Sequence, residues 1–397
     1  MQHGSLSSAP PMEPTALADL LRTVRALWPD SPVAVTDDAR PGRRLHPLPN
    51  RSAVRLLVPG TPRAAGSALR RYSAALTRRE VLTRRLAATA ARVVGPHRLS
   101  HGAAITIAGD GGSIVEHLSE VLGREVQVAL TIGNARVNRK PVLQVFDGAG
   151  HTLAFAKVGL SDETRDLIRH EADSLEQLAG LVPRVRLPEV LAFTHWRGHP
   201  VLTMSALEAR PPRRGDAVAP LSHMAAFSLA LGHATAELPE VPQWRRLRAA
   251  LPASDRLGLG LLADLIEVAA ERLPRLVVGA WHGDWTTWNM ARSRTSELLL
   301  WDLERFERGA VHGLDAFHFE VNRERDWRAG GEQLLGAMTR AWKAGGQRRS
   351  GRLVGAVYLA VIAGRYLAAD GSPLAGLIQR RLDDCVAALR VWVRGLA

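Results

Sequence analysis

Trp281-His282-Gly283-Asp284-Trp285-Thr286-Thr287-Trp288-Asn289, followed by the apolar run Leu298-Leu299-Leu300-Trp301 and then Asp302-Leu303-Glu304, decides how the chain folds. The apolar run reads as a strand, and an aspartate at its end is held rigidly because the strand packs while its last residue faces away from the core. His282-Gly283-Asp284 alone is compatible with an ordinary loop turn, with Asp302 capping a helix; the full spacing of Asp284, Asn289 and Asp302 is the more specific signal. Helical patterns dominate from Leu221 to Ala397, interrupted by the compact strand-and-loop segment Val277 to Glu304 that contains the motif.

Toward the N-terminus, Val126 to Ile132, Pro141 to Phe146 and Thr152 to Val158 are rich in β-branched and apolar residues. Turn sequence that includes Asp147-Gly148-Ala149-Gly150 separates them, so they read as three antiparallel strands. Asp162 to Leu178 has helical spacing, with Leu167, Ile168, Leu175 and Leu178 on one side, and Glu189 to Thr194 and Pro200 to Met204 complete a small sheet. Before these, Gly111-Gly112 marks a change of style, and Ser113-Ile114-Val115-Glu116 reads as a capping box that starts a helix ending near Gly123. Farther back come a helix over Ala16 to Trp28, proline- and arginine-rich sequence to Asn50, a strand at Ala53 to Val58, and helices over Ala64 to Ala75 and Arg79 to Val93. Met1 to Met12 is small, polar and proline-containing and is excluded from the fold. The expected division is an arginine-rich N-terminal extension or small domain (1–112), a sheet-based unit (113–207) and a helical unit (208–397), an α+β fold.

In residues, order and spacing, the motif resembles the aminoglycoside phosphotransferase family of kinase-like enzymes, whose signature is His-Gly-Asp, four residues, Asn, then an aspartate ending a following strand. The resemblance covers Val126 to Glu320. It implies a bilobal protein-kinase-like α+β fold, with residues 113–207 as a nucleotide-binding N-lobe and 208–397 as a helical C-lobe carrying the catalytic loop. It implies ATP and Mg²⁺ as cofactors. Asp284 is then the catalytic residue that accepts a hydrogen bond from the acceptor hydroxyl and orients it in line with the γ-phosphate, Asn289 and Asp302 are the metal ligands, and Glu304 is an outer-shell partner.

For the nucleotide, the resemblance makes Lys157 the cation for the α- and β-phosphates and Glu171 the acid that holds it, because His170-Glu171-Ala172 and Leu175 match the family's helix pattern. Glu176, five residues on, is the alternative acid. Only three lysines, Lys140, Lys157 and Lys343, stand against 49 arginines, so a lysine ending the third strand is not casual surface decoration. A flexible point charge follows phosphates where a planar guanidinium is a poor substitute. The loop between the first two strands departs from the family: kinases use several glycines there, and Thr131-Ile132-Gly133-Asn134-Ala135-Arg136 has one. Backbone amides at Gly133 and Asn134 can still approach phosphate, and an ordinary hairpin connection fits the stretch equally. Met204 to Leu207 takes the place along the chain of the interlobe hinge that contacts adenine. Asp315 matches a further family aspartate, read as support for the catalytic loop. Twelve residues separate Asp302 from Asp315, too few for the long activation segment of regulated kinases, so constitutive activity is expected. His312 and His318 read as surface or packed histidines. Trp281, Trp285, Trp288 and Trp301 read as core, with substrate stacking at Trp285 the alternative.

Composition bounds the rest. A 46% hydrophobic and 23% charged chain of 397 residues excludes wholesale disorder and fibrous repeats. The longest apolar run, Leu353 to Gly364, falls short of the roughly 20 residues that cross a bilayer and reads as a buried helix, so no membrane span is expected. The N-terminus lacks a charged-then-apolar signal pattern, and a cytoplasmic location is expected. Cys385, the single cysteine, rules out an internal disulfide and a multi-cysteine metal site.

The net charge of +13 is uneven: residues 1–100 hold 16 arginines against 6 acids, whereas residues 208–397 hold 26 basic residues against 21 acids. The first block suits an anionic partner, or is a solvated surface. The net basic second block disfavours a polycationic aminoglycoside, so a neutral or anionic small-molecule hydroxyl acceptor is expected. A Ser/Thr kinase acting on a precursor peptide in a peptide natural-product pathway is the leading alternative. An inactive kinase-like scaffold and a nucleic-acid binder acting through the basic N-terminus are compatible with the same charge pattern. Retention of Lys157, Asp284, Asn289 and Asp302 together opposes decay. Few aromatics, Trp28 and Tyr72, interleave the N-terminal arginines, which opposes single-strand nucleic-acid binding.

Overall fold

The computed structural model describes residues 14–36, 42–48, 54, 56–109, 111–131, 140–251, 258–273, 275–323, 330–346, 348–369 and 375–396. Met1 to Met12, Ala53, Gly133 and Asn134, which carry expectations above, lie outside the described residues. The fold class is α+β, and the chain divides into two units. The first comprises Met1–Tyr72, Leu76–Ala172 and Pro188–Glu208; the second comprises Ser73–Ala75, Asp173–Leu187 and Ala209–Ala397.

The first unit is built on one antiparallel sheet of nine strands: β1 (Val33–Thr36), β2 (Arg43–Leu48), β3 (Leu56–Pro59), β4 (Ala104–Ile107), β5 (Gln127–Thr131), β6 (Val142–Phe146), β7 (Thr152–Val158), β9 (Val190–Trp196) and β10 (His199–Ser205). Their order across the sheet is β1-β4-β2-β3-β5-β6-β7-β10-β9. Alternation along the strands separates two faces, as period-two side-chain direction requires. Leu57, Val128, Leu130, Leu143 and Val145 pack with α1 (Pro14–Leu27) and α5 (Ile114–Leu122). Val58, Ala129 and Phe146 pack with Ala64, Ala65 and Ala68 of α2 (Pro62–Ala68) and Ala91 of α3 (Arg78–Val94), which is followed by α4 (Pro96–Leu99). The β6–β7 hairpin turns at Asp147, whose carboxylate accepts the His151 N–H at 2.8 Å. Gly150 closes it at φ +82°, where an added Cβ would meet the Ala64 backbone nitrogen at 2.7 Å.

The boundary expected at residue 112 is corrected by this sheet. β3 pairs with β5 (Leu56 with Thr131, Leu57 with Leu130), so residues before 112 continue the same sheet and supply helices to both faces. Three strands were missed because β1, β2 and β4 are short and β1 and β2 sit in sequence dominated by proline and arginine, which carries no clean alternation. The Ser113 cap is present and half of the box is not: Ser113 Oγ accepts the Glu116 N–H at 3.2 Å, while the Glu116 carboxylate reaches one residue too far and accepts from Gly112. α2 ends at Ala68, short of the expected Ala75. α6 (Asp162–Leu178) follows β7, with Ile168, Ala172, Leu175 and Leu178 buried at helical spacing.

The second unit is mainly helical: α7 (Leu221–Leu229), α8 (Pro242–Ala250), α9 (Leu259–Glu271), α10 (Leu314–Asn322), α11 (Gly330–Ala344), α12 (Arg349–Ala368) and α13 (Ala375–Val393). α12 runs through its core: Leu353 and every residue from Gly355 to Gly364 are buried among Trp244, Trp281 and Trp392 and their neighbours. Its 20 residues exceed the apolar run seen in the sequence, so among the described residues α12 is the helix long and apolar enough to cross a bilayer by length and composition. Two small sheets complete the unit, β11-β12-β15 (Ala234–Ala236, Leu276–Trp281, Glu307–Val311) and β13-β14-β8 (Met290–Arg292, Leu298–Leu300, Val185–Arg186).

Candidate active site

In the first unit, Lys157 is the penultimate residue of β7, paired with Val142 of β6 and Leu202 of β10. Its side chain is 9% exposed and cannot solvate its own charge. Glu171, fully buried on α6, supplies the counter-charge: Lys157 Nζ donates to both carboxylate oxygens at 2.6 Å. Glu176 is exposed, so helix phase selects Glu171. A buried ion pair adds little net stability, because desolvation offsets the Coulomb gain; what it fixes is position. Lys140, just ahead of β6 and equally buried, brings its Nζ to 3.9 Å from Glu171. Two of the three lysines in the chain therefore meet at one carboxylate, and sequence reasoning singled out only one of them. The rarity of lysine was the signal for both. Met204 is buried on β10, opposite Phe155 of β7 and Val190 of β9.

In the second unit, β12 ends at Trp281 and delivers the polar loop. Gly283 takes φ +80°, and a Cβ there would sit 2.2 Å from the Arg305 carbonyl oxygen, so the middle residue of His-Gly-Asp has to be glycine. His282 is fully buried; burial pushes its imidazole down to about 4, so it is neutral near pH 7. Its Nδ1 accepts the Asp284 N–H at 3.2 Å, and its Nε2 therefore donates to the Trp301 carbonyl at 3.2 Å, tying the loop to the segment that leads to Asp302. Asp315, at the start of α10, accepts the His282 and Gly283 N–H groups at 3.1 and 3.3 Å. Burial pushes that carboxyl up to about 7 against the opposing pull of both donors and of Arg365. Arg365 of α12 donates to the Gly283 carbonyl at 3.0 Å and to Glu307 at 3.0 Å while lying 4.0 Å over the Trp281 ring. Each backbone group of the loop named here is satisfied, which makes the loop rigid.

This frame leaves Asp284 as the partly open acid among buried neighbours, its side chain 25% exposed. Asn289 Nδ2 donates to its Oδ2 at 2.9 Å and to its backbone carbonyl at 3.0 Å. His318 Nε2 lies 3.2 Å from Oδ1, and Tyr358 Oη lies 3.3 Å from His318 Nδ1. A carboxylate only accepts, so His318 Nε2 carries a proton, and in the neutral ring Nδ1 takes the proton of Tyr358. Burial keeps Tyr358 a phenol by pushing its pKa well up. Both oxygens of Asp284 are thus held. His318, read from the sequence as surface or packed, is packed and buried on α10, and it is also a partner of Asp284, which nothing in its spacing from the motif signalled.

Asn289 spends its amide nitrogen on Asp284, which leaves its Oδ1 as the atom offered to a cation. Asp302 follows β14 in the left-handed region at φ +71°, a conformation that costs about 1–3 kcal/mol for a non-glycine residue and persists where surrounding structure imposes it. One carboxylate oxygen of Asp302 lies within 4.8 Å of one of Glu304. Amide and carboxylate oxygens are the donors Mg²⁺ prefers, so these residues fit the ion. Trp285 is fully buried, edge-on to Phe227 at 5.4 Å, which overturns the substrate-stacking alternative.

No protein-family model matches the chain, and no curated protein matches it. Solved structures similar to it include a thermostable mutant of aminoglycoside phosphotransferase APH(4)-Ia in a ternary complex with ADP and hygromycin B, at 14% identity over 71% of this chain and 98% of that one with a TM-score of 0.49. Another is the GDP complex of an aminoglycoside 2'-phosphotransferase-IIIa mutant, at 14% identity over 71% and 98% with a TM-score of 0.42. A third is a fructosamine-3-kinase candidate from Haemophilus somnus 129PT, at 13% identity over 71% and 96% with a TM-score of 0.44.

Proposed function

We propose that the chain is an ATP-dependent phosphotransferase that moves the γ-phosphate to a hydroxyl of a neutral or anionic small molecule. The observation that carries this reading is Asp284, part-exposed and held at one oxygen by Asn289 and at the other by His318. Asp284 accepts the hydrogen bond of the acceptor hydroxyl and turns its oxygen toward phosphorus, because phosphoryl transfer needs alignment more than covalent help. Asn289 Oδ1 and Asp302 hold Mg²⁺, with Glu304 behind Asp302. When bound, the ion supplies neutralisation of charge on the phosphates. Lys157, placed by Glu171, neutralises the α- and β-phosphates; Gly133 and Asn134 contribute backbone amides, and Met204 flanks the adenine.

Incubation with ATP, Mg²⁺ and pools of hydroxyl compounds, read as a mass gain of one phosphate, tests the reaction. Absence of any phosphorylated product, with no ATP consumed, would remove it. The arginine-rich block of residues 1–100 favours a second reading of the acceptor, a Ser or Thr of a precursor peptide; phosphate on peptide rather than on small hydroxyl compounds selects it.

Two expected results belong to these residues. Asp302→Asn weakens Mg²⁺-dependent ATP binding by at least about tenfold, the lower end for losing even an outer partner of a metal ligand; calorimetric titration with and without Mg²⁺ measures it. His318→Ala lowers kcat about tenfold, with the KM for ATP little changed, since it frees one oxygen of Asp284 without touching the nucleotide's partners. His318→Gln, whose amide can donate to the same oxygen, restores most of the loss. Equal kcat for His318→Ala and the parent would remove the positioning role.

A further inference from the structure

We propose that the outward face of α3 is a docking surface for an acidic amphipathic helix of a partner peptide or protein. α3 packs inward through Val81, Ala88 and Ala91. On its opposite side Leu82, Leu86 and Val93 are 57%, 64% and 77% exposed. With the exposed Thr89 their spacing is four, three, four, the interval that keeps residues on one seam of a helix and lets them interlock with a second helix. Single exposed leucines need no explanation; three large apolar residues along one seam do. Arg78, Arg85 and Arg92 recur every seven residues along one edge of the seam, and all three are exposed. In heptad terms Leu82 and Thr89 take position d, Leu86 and Val93 position a, and the arginines position g. The one acid in α3, Glu80, accepts from the backbone N–H and the hydroxyl of Thr77 in an N-terminal capping box.

Charge selects the occupant. A helix with apolar residues at a and d and glutamate or aspartate along its flanks covers the seam and pairs with the arginines. A second copy of this chain does not: antiparallel pairing sets arginine against arginine, and parallel pairing sets Arg78 and Arg85 against Thr83 and Ala90, which offer no charge. A lipid surface is the weaker fit, because the seam is narrow and has no aromatic residue to anchor it. The proposal is independent of the phosphotransfer reading.

A synthetic three-heptad peptide with leucine and isoleucine at a and d and glutamate at e and g is the probe, titrated with the full-length chain by fluorescence anisotropy. The matching peptide with lysine at e and g is the control. The acidic peptide binds and the basic one does not; Leu86→Glu weakens binding by at least about tenfold, equivalent to one well-packed contact. Leu82→Ser, a gentler change on the same seam, does so in the same direction. The Arg78→Glu/Arg85→Glu double variant exchanges the preference for the basic peptide. These positions are exposed, so thermal unfolding of the variants stays at the parent value. The proposal is overturned if the acidic peptide fails to bind, if binding ignores Leu86→Glu, or if the chain forms a dimer that Leu86→Glu dissolves. Seam-dependent binding to phosphatidylglycerol vesicles without peptide binding also overturns it.

Discussion

Asp284→Ala removes phosphoryl transfer, with kcat falling by about 10²–10⁴, the range for loss of a positioned acid-base group, while ATP binding stays near the parent value. Alanine is the informative replacement. In the native loop both oxygens of Asp284 face donors, Asn289 Nδ2 and His318 Nε2. An asparagine would turn an N–H toward one of them, so Asp284→Asn mixes lost basicity with a donor-donor clash. Alanine leaves Asn289 and His318 to water at a part-exposed position and keeps the fold, because the loop is held elsewhere by Asp315 and Arg365. Single-turnover kinetics beside calorimetric ATP titration separate the two quantities. Turnover near the parent value would remove the role given to Asp284.

Lys157→Met produces the second large effect, on two observables at once. Loss of the preorganised cation on the α- and β-phosphates lowers kcat/KM by about 10²–10³. It also leaves Glu171 buried beside Lys140 alone, at 3.9 Å, and breaking a buried pair costs about 3–5 kcal/mol, at the lower end here because Lys140 remains. The Lys157→Met/Glu171→Gln double variant removes that pair and regains part of the stability, not all of it because Lys140 loses the Glu171 carboxylate, with none of the activity. Thermal unfolding and turnover of the three proteins check this. Recovery of activity in the double variant would show that Lys157 serves the fold alone.

The sequence made some of this legible and concealed the rest, for physical reasons. Local chemistry reads well: the capping serine at 113, the hairpin glycine at 150 and the aspartate at 302, just past its strand, declare themselves through backbone conformation or spacing. Lys157 and Glu171 are 14 residues apart on a strand and the next helix, so their meeting follows from element order. The nine-stranded sheet does not, because β3 and β5 join across some seventy intervening residues by backbone bonds that leave no side-chain signature. His318 reaches Asp284 across 34 residues, and Tyr358 reaches His318 across another 40. Both depend on how α10 and α12 pack, which periodicity alone does not fix.

A crystal structure of the full chain with Mg²⁺ and a non-hydrolysable ATP analogue tests the central claim most directly. The account predicts metal–oxygen bonds of about 2.0–2.1 Å from Asn289 Oδ1 and Asp302, with Lys157 Nζ at the α- and β-phosphate oxygens and Asp284 facing the γ-phosphate. A metal held by other residues, or a nucleotide whose phosphates lie away from Lys157 and Asp284, would contradict it.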